Sequence, residues 1–125
     1  MRRSYIHIID KQGRWRKLAA MALERAGYRV AHFATYEDVV ATNGSRPNLV
    51  VLGCARLGRN EAVLVRKLIA LEQPLLVLCA RLSFDEARSL LAKGVAVADK
   101  HHQPALIVET VENALHHAAR EYISL

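Results

Sequence analysis

Five short apolar runs alternate along this chain with segments whose apolar residues recur at helical spacing. The runs cover residues 5–9, 29–33, 49–52, 75–79 and 95–98, and each is predicted as a buried strand. Parallel strands need crossover connections, and those crossovers place helices on the faces of the sheet. The alternation therefore predicts one α/β domain over residues 1–125, with a single doubly wound, five-stranded parallel sheet and five helices.

Glycines and capping residues mark where the predicted helices begin and end. Gly27 follows the first helix and Gly94 the fourth, where a helix-terminal glycine belongs. Thr35 can cap the second helix, and Ser83 with Glu86 forms a capping box at the start of the fourth. The third helix is predicted to turn four apolar residues toward the sheet: Val63, Leu64, Leu68 and Leu71.

The composition is that of an ordinary globular protein. The 125 residues are 52% apolar and 24% charged, which is enough for one hydrophobic core. No apolar run approaches the roughly 20 residues that span a bilayer, so we expect a cytoplasmic protein without a membrane segment. Cys54 and Cys79 fit neither a disulfide framework nor a metal-ligand spacing, so both are expected to be reduced thiols.

The net charge of +6 is concentrated in the first quarter of the chain. Residues 1–29 hold eight basic residues and two acidic ones, and the rest of the chain is balanced. Arg14, Arg16 and Lys17 of the first helix form the centre of this basic patch. The patch is either a solvated face or a docking surface for an acidic protein partner; no helix-turn-helix or aromatic stacking pattern favours nucleic acid.

Ligands of parallel α/β sheets bind outside the carboxyl ends of the strands. In this chain those ends carry Asp10 and Lys11 after the first strand, Gly53 after the third, Cys79 after the fourth and Lys100 after the fifth. A glycine in the middle of this edge offers no side chain for chemistry. No nucleophile elbow or glycine-rich phosphate loop appears elsewhere, so we do not expect an enzyme.

Four segments in this order resemble the receiver domain of bacterial response regulators over nearly the whole chain. They are "YIHIIDK", "RPNLVVLG", "QPLLVLCA" and "DKHHQPALIVETVENAL". The resemblance implies a flavodoxin-like sheet with strand order 2-1-3-4-5. It also implies a site at the strand ends, where two acids hold Mg²⁺, an aspartate accepts the phosphoryl group, and a hydroxyl residue and a lysine bind its oxygens.

Carried over residue by residue, the resemblance implies a degenerate phosphoacceptor pocket. Asp10 matches the first acid and Lys100 the lysine, whereas Lys11 replaces the second acid, Gly53 the acceptor and Cys79 the hydroxyl residue. Mg²⁺ prefers oxygen ligands that include carboxylates, so its binding is expected to be weak or absent, and no other cofactor is expected. We predict instead an ion pair between Asp10 and a lysine, either Lys11 or Lys100; otherwise Lys11 points into solvent.

Two further sets of residues suggest other chemistry. Cys54 and Cys79 end adjacent strands in the predicted order, so a redox pair is an alternative, with nearby lysines lowering a thiol pKa. His116 and His117 cannot chelate together, because adjacent residues on a helix do not face the same way. His7 alternates inside a strand and is most simply a core or edge residue with satisfied hydrogen bonds.

These observations favour an atypical receiver that acts in signal transduction and transcription regulation without aspartyl phosphorylation. It would work through a protein partner or a homodimer, and Leu106, Val108 and Tyr122 of the last helix are candidates for that surface. The family often carries a DNA-binding output domain after this point, so DNA contact is expected only outside this chain. The alternative is a stand-alone adaptor that docks an acidic partner on its basic first helix.

Overall fold

The computed structural model describes the backbone of residues 4–123 and the side chains of residues 4–116. Five strands and five α-helices alternate, and one 3₁₀ turn, Pro104–Leu106, precedes the last helix. The strands are β1 Tyr5–Ile9, β2 Arg29–Phe33, β3 Leu49–Arg56, β4 Leu75–Arg81 and β5 Ala96–Asp99. The helices are α1 Gly13–Arg25, α2 Tyr36–Thr42, α3 Arg59–Ala70, α4 Phe84–Ala92 and α5 Ile107–Ile123.

All strand pairs are parallel, and the sheet order is β2-β1-β3-β4-β5, as predicted. The two faces of the sheet carry separate cores. Ile6, Ile8 and Val51 pack under α1 and α5, whereas Val50, Leu52 and Val77 pack under α3 and α4. This division follows from alternation along each strand, which sends neighbouring side chains to opposite faces.

Local signals in the sequence produce the helix boundaries that they predict. The Thr35 hydroxyl accepts a hydrogen bond from the Asp38 N–H at 3.2 Å at the start of α2. Ser83 and Glu86 form both bonds of a capping box at the start of α4. Gly94 takes a left-handed φ of 81° just after α4, a conformation that costs glycine little.

The predicted apolar side of α3 is partly wrong. Leu68 is buried and Leu64 is half-buried, but Val63 and Leu71 are 48% and 53% exposed, and Val65 is buried instead. The helix begins at Arg59 and is rotated so that Val65 and Leu68 face the sheet, which fits the spacing of three on a helical face. Val63 is left on the wall of a cavity that is described below.

Strands β3 and β4 are both longer than predicted. They continue as a pair through Cys54↔Cys79 to Arg56↔Arg81, past the points where β1 and β5 end. Their apolar runs stop earlier, and for this reason the sequence pattern missed the extension. Beyond the ends of both neighbouring strands, the pair forms a short two-stranded ribbon (residues 55–56 and 80–81) at the carboxyl edge of the sheet.

No helix within residues 4–123 is long and apolar enough to cross a bilayer. A hydrophobic core covers each face of the sheet. The loops that follow β1, β2, β3 and β5 converge at one edge of the sheet. That edge is the place where the sequence predicted a functional site.

Candidate functional site at the strand ends

The centre of the strand-end site is an ion pair between Asp10 and Lys100. The Nζ of Lys100 lies 2.7 Å from Oδ2 of Asp10, and the two side chains are only 6% and 2% exposed. The other carboxylate oxygen, Oδ1, accepts the Gln12 N–H at 2.8 Å. Oδ2 has no aligned hydrogen-bond donor among the described residues, so its contact with the ammonium is an ion pair rather than a directed hydrogen bond. The predicted Asp10–lysine pair is therefore present, with Lys100 as the partner.

Lys100 is itself held from two further sides. Its ammonium contacts the Oε1 of Gln12 and lies 4.7 Å from the centre of the Trp15 ring, within the range of a cation–π interaction. The Trp15 indole N–H donates to the His101 carbonyl at 2.9 Å, which ties α1 to the loop after β5. No local pattern in the sequence indicates the roles of Gln12 and Trp15, because both contacts span more than 80 residues.

Arg16 is part of the site's support and not of a solvated patch. Its guanidinium donates to the Asp10 carbonyl at 2.7 Å and to Nδ1 of His32 at 3.0 Å. The half-buried Arg16 thus anchors the turn after β1, whereas Arg14 and Lys17 are exposed, as the basic-patch prediction requires. Arg16 keeps its positive charge, but its guanidinium is directed to the Asp10 carbonyl, so only Arg14 and Lys17 of the predicted patch have exposed side chains.

Gly53 is buried directly beside Asp10. A Cβ added at position 53 would lie 3.0 Å from Cγ of Asp10 and would overlap its Oδ2. Real Cβ atoms rarely come closer than this to a non-bonded atom, so any side chain at position 53 would have to displace the Asp10 carboxylate. The Asp10 carboxylate thus fills the space that a side chain at position 53 of β3 would use.

The residues present do not fit a Mg²⁺ site, the metal that the predicted fold implies. Asp10 is already paired with Lys100, and Gly53 supplies no ligand. Lys11 is exposed and forms no ion pair with the described residues. Among those residues, no three His, Cys, Asp or Glu side chains are grouped closely enough to hold a metal ion.

Cys54 and Cys79 are register partners on adjacent strands, and both are free thiols. The Cys79 S–H donates weakly to the Ala55 carbonyl at 3.6 Å. Burial, followed by the neighbouring Cys79, raises the pKa of the Cys54 thiol to about 12. The expected lowering of a thiol pKa by lysines is therefore wrong: desolvation outweighs any nearby positive charge.

A cavity of about 660 Å³ opens above this ion pair. It is lined by residues 9–12, 34–37 and 52–56, by Lys100 and by one side of α3. We call it the strand-end cavity. Ile9, Leu52 and Leu64 give it an apolar wall, and Lys11, Arg56 and Lys67 bring positive charge to it.

His7 lies in a second, smaller cavity of about 240 Å³ beneath α2. The side chain is 4% exposed, between the rings of Tyr5 and Phe33, and its Nε2 has no hydrogen-bond partner among the described residues. The expectation of a satisfied core histidine is therefore wrong. Burial lowers the pKa of His7, so the neutral imidazole is favoured.

The residues that the sequence predicted as a partner surface differ in exposure. Leu106 is 44% exposed, whereas Val108 is half-buried and packs against the core under α1 and α5. The side chain of Tyr122 lies outside the described residues. Two α4 residues that the sequence did not suggest are more exposed, namely Phe84 at 77% and Leu91 at 59%.

The fold of the chain matches that of solved receiver domains. The chain superimposes on a signal receiver domain from Vibrio parahaemolyticus with a TM-score of 0.79 at 18% identity, covering 98% of each chain. A CheY-like response regulator receiver domain protein from Methanospirillum hungatei gives a TM-score of 0.78 at 20% identity over 96% of this chain and 99% of that chain. The chain has the receiver fold.

A third similar structure is an orphan response regulator of H. pylori. Its TM-score is 0.75 at 15% identity over 90% of this chain and 96% of that chain. No family model and no curated protein matches the sequence. At these identities the likeness establishes the receiver fold, and the chemistry of the strand ends must be argued from the residues themselves.

Proposed function

We propose that this chain is an atypical, non-enzymatic receiver domain that acts in signal transduction independently of aspartyl phosphorylation. One observation carries the proposal: the Asp10 carboxylate, paired with Lys100, fills the space beside Gly53. In the resemblance described above, position 53 is that of the phosphoacceptor. Phosphoryl transfer to a side chain needs a nucleophile, and glycine has none.

Asp10 is a poor substitute for the acceptor. Its side chain is 2% exposed, and its oxygens are occupied by the Lys100 ammonium and the Gln12 N–H. A phosphodonor would have to reach a buried carboxylate and break its ion pair. No carboxylate lies on β3, the strand on which the resemblance places the nucleophile.

The ion pair also gives the pocket a fixed electrostatic state. In a receiver of the usual pattern, a bound metal neutralises the acids at the strand ends; here the Lys100 ammonium does so within the chain. Because Lys100 is also bound by Gln12 and Trp15, the arrangement needs no ligand to stabilise it. We infer that the signal reaches or leaves this domain through its surfaces.

The surface that best fits a homodimer or protein partner flanks the edge strand β5. Phe84 and Leu91 of α4 lie seven residues apart and so share one helical face, on one side of this edge. Leu106, in the turn before α5, lies on the other side. Any role in transcription would require an output domain outside these residues.

A second candidate, the adaptor, is favoured by the outer face of α1. Leu18 and Met21 are 43% and 47% exposed, and Arg14 and Arg25 lie on the same face at helical spacing. An apolar strip between cations suits an acidic amphipathic segment of a partner protein. Arg16 does not contribute, because its guanidinium is bound to the end of β1.

Phosphorylation is tested by incubating the protein with acetyl phosphate and Mg²⁺ and measuring its intact mass. We expect no phosphorylated species at a donor concentration that modifies a receiver carrying the acceptor aspartate. An acid-stable, hydroxylamine-resistant product would not be an acyl phosphate and would leave the proposal intact. A hydroxylamine-labile product would contradict it.

Two sets of variants distinguish the surface beside β5 from the outer face of α1. Sedimentation of the Leu91→Glu and Leu106→Glu variants measures loss of a dimer through the β5 edge. Arg14→Glu with Lys17→Glu measures loss of an acidic partner from α1. Arg16 is left unchanged in both sets, because its substitution would disturb the Asp10 turn.

A further inference from the structure

We propose that the strand-end cavity binds a small organic anion that has an apolar body, with Arg56 as its main anionic contact. The inference rests on the proposed function in one respect: the cavity is free for such a ligand only if it does not carry out phosphoryl chemistry. The size, wall and charge of the cavity support the proposal separately.

The cavity has the dimensions and lining of a small-molecule site. Its volume of about 660 Å³ falls within the roughly 300–1,000 Å³ that is typical of ligand pockets. Ile9, Leu52 and Leu64 supply an apolar wall, and Val63 adds an apolar side chain that is 48% exposed. A ligand body covering Val63 would remove this apolar surface from water.

Three cations of the lining are available to a ligand. Lys11, Arg56 and Lys67 are exposed, and none is in an ion pair with the described residues. Lys67 lies 5.3 Å from the centre of the Tyr36 ring, a contact that leaves its ammonium hydrated. The fourth cation, Lys100, is already neutralised by Asp10 at the floor of the cavity.

The acidic residues of the lining do not cancel this charge. Glu61 is occupied, because its Oε1 accepts the Gly58 N–H at 3.2 Å at the start of α3. Asp10 is paired with Lys100, which leaves exposed Glu37 as the one lining carboxylate without such a contact among the described residues. The lining holds four cationic and three acidic side chains and therefore carries a net charge of +1, so an anion is the charge that it would attract.

Arg56 has a second feature that points to an anion. It is the register partner of Arg81 at the tip of the β3–β4 ribbon, so two exposed guanidinium groups start from adjacent positions on neighbouring strands. Like charges placed side by side on a sheet are unfavourable unless something offsets them. The Glu86 carboxylate is close enough for Arg56 to contribute to the lowering of its pKa, after its hydrogen bonds with Ser83, but Glu86 is held in the capping box of α4 and forms no ion pair with Arg56. A carboxylate or phosphate bound at Arg56 would offset the repulsion more directly, and it can accept two parallel N–H bonds from one guanidinium.

The experiment is a two-dimensional amide NMR titration with four probes: benzyl phosphate, phenylacetate, neutral benzyl alcohol and inorganic phosphate. Benzyl phosphate and phenylacetate share an apolar body and differ in their anionic group, so they distinguish a phosphate ligand from a carboxylate ligand. Benzyl alcohol has the body alone, and inorganic phosphate has the charge alone. We expect saturable shifts at residues 9–12, 34–37 and 52–56 for at least one of the two organic anions.

Two variants make the test specific. Arg56→Gln should weaken binding of that organic anion about tenfold, since it removes a charge-assisted hydrogen bond. Arg66→Gln is the matched control, because Arg66 is exposed on α3 but does not line the cavity, and it should leave the affinity unchanged. Equal effects of the two variants would overturn the assignment to Arg56.

The remaining outcomes also decide the matter. The proposal is overturned if neither organic anion produces saturable shifts. It is also overturned if benzyl alcohol or inorganic phosphate binds as tightly as the organic anions. These failures leave the proposed function untouched, because they say nothing of phosphorylation. Failure of the proposed function would appear separately, as a hydroxylamine-labile phosphorylated species with acetyl phosphate.

Discussion

The carboxylate of Asp10 occupies the space into which a side chain at position 53 would project, and a Cβ added to Gly53 would lie 3.0 Å from Cγ of Asp10. The glycine and the ion pair are therefore linked. Asp10 can turn toward β3 and meet Lys100 in a closed arrangement because position 53 has no side chain. Changing either partner should disturb the other.

A first prediction concerns Gly53 itself. Gly53→Ala should lower the free energy of unfolding by about 2 kcal/mol, because an extra methyl group in a packed site forces its neighbours to move. Gly13→Ala is the control: its added Cβ would have only Arg16 nearby, at 3.7 Å, and it begins a helix, so no loss is expected. Urea unfolding measures both, and equal stability of the two variants would refute the steric link.

A second prediction concerns the ion pair. Lys100→Gln should cost about 3 kcal/mol of unfolding free energy, because it leaves a buried carboxylate without its counter-charge. Asp10→Asn should also destabilise, and the double variant should lose clearly less than the sum of the two. Lys93→Gln, an exposed lysine, should change stability by less than about 0.5 kcal/mol. Additive losses in the double-mutant cycle would mean that Asp10 and Lys100 do not interact.

A third prediction concerns pH. Burial lowers the pKa of His7 in the folded protein below its ordinary value of 6.5, so the unfolded chain binds more protons once the pH falls below about 6.5. The free energy of unfolding should therefore decrease as the pH is lowered through this value and should be restored as the pH rises above it. The pKa of His32 is also lowered, by burial and then by Arg16, and adds to the decrease with the same sign.

The variant that isolates His7 is His7→Phe. A phenyl ring would remain between Tyr5 and Phe33 and would remove a nitrogen that has no partner among the described residues. We expect a gain of about 1 kcal/mol in unfolding free energy at pH 5 and a shallower pH dependence. Denaturant unfolding at pH 5 and pH 8 measures the difference, and an unchanged slope with pH would show that His7 does not contribute.

A fourth prediction concerns the thiols. Because burial raises the pKa of Cys54 to about 12, almost none of it is thiolate at neutral pH, and Cys79 is fully buried. Alkylation by iodoacetamide should be far slower in the folded protein than in urea. In the Cys54→Ser variant, the slow alkylation of the remaining thiol, Cys79, should be unchanged. Rapid modification of the folded protein at pH 7 would revive the redox alternative.

The architecture was predictable because apolar runs and capping residues are local signals. Thr35, Ser83 and Gly94 each act on the backbone within a few residues, and the structure uses them as the sequence indicates. The ends of β3 and β4 were missed because Arg56 and Arg81 are polar, and their pairing depends on the neighbouring strand rather than on their own sequence.

The site was predictable only in part. Strand-end topology brings Asp10 and Lys100 together, so their pairing could be expected from the order of the strands. The inward turn of the Arg16 side chain could not be predicted, because it depends on the direction in which the Asp10 carbonyl points after β1. The unpartnered Nε2 of His7 could not be foreseen either, because strand alternation gives burial but not hydrogen-bond partners.

The central claim is that the pocket around Asp10, Gly53, Cys79 and Lys100 does not respond to the phosphoryl group. The most direct measurement is a two-dimensional amide NMR titration with Mg²⁺ and beryllofluoride, a mimic of that group. The account predicts no saturable shifts at these four residues. Saturable shifts confined to them would contradict it, because they would show that the pocket still binds the metal and the phosphoryl mimic.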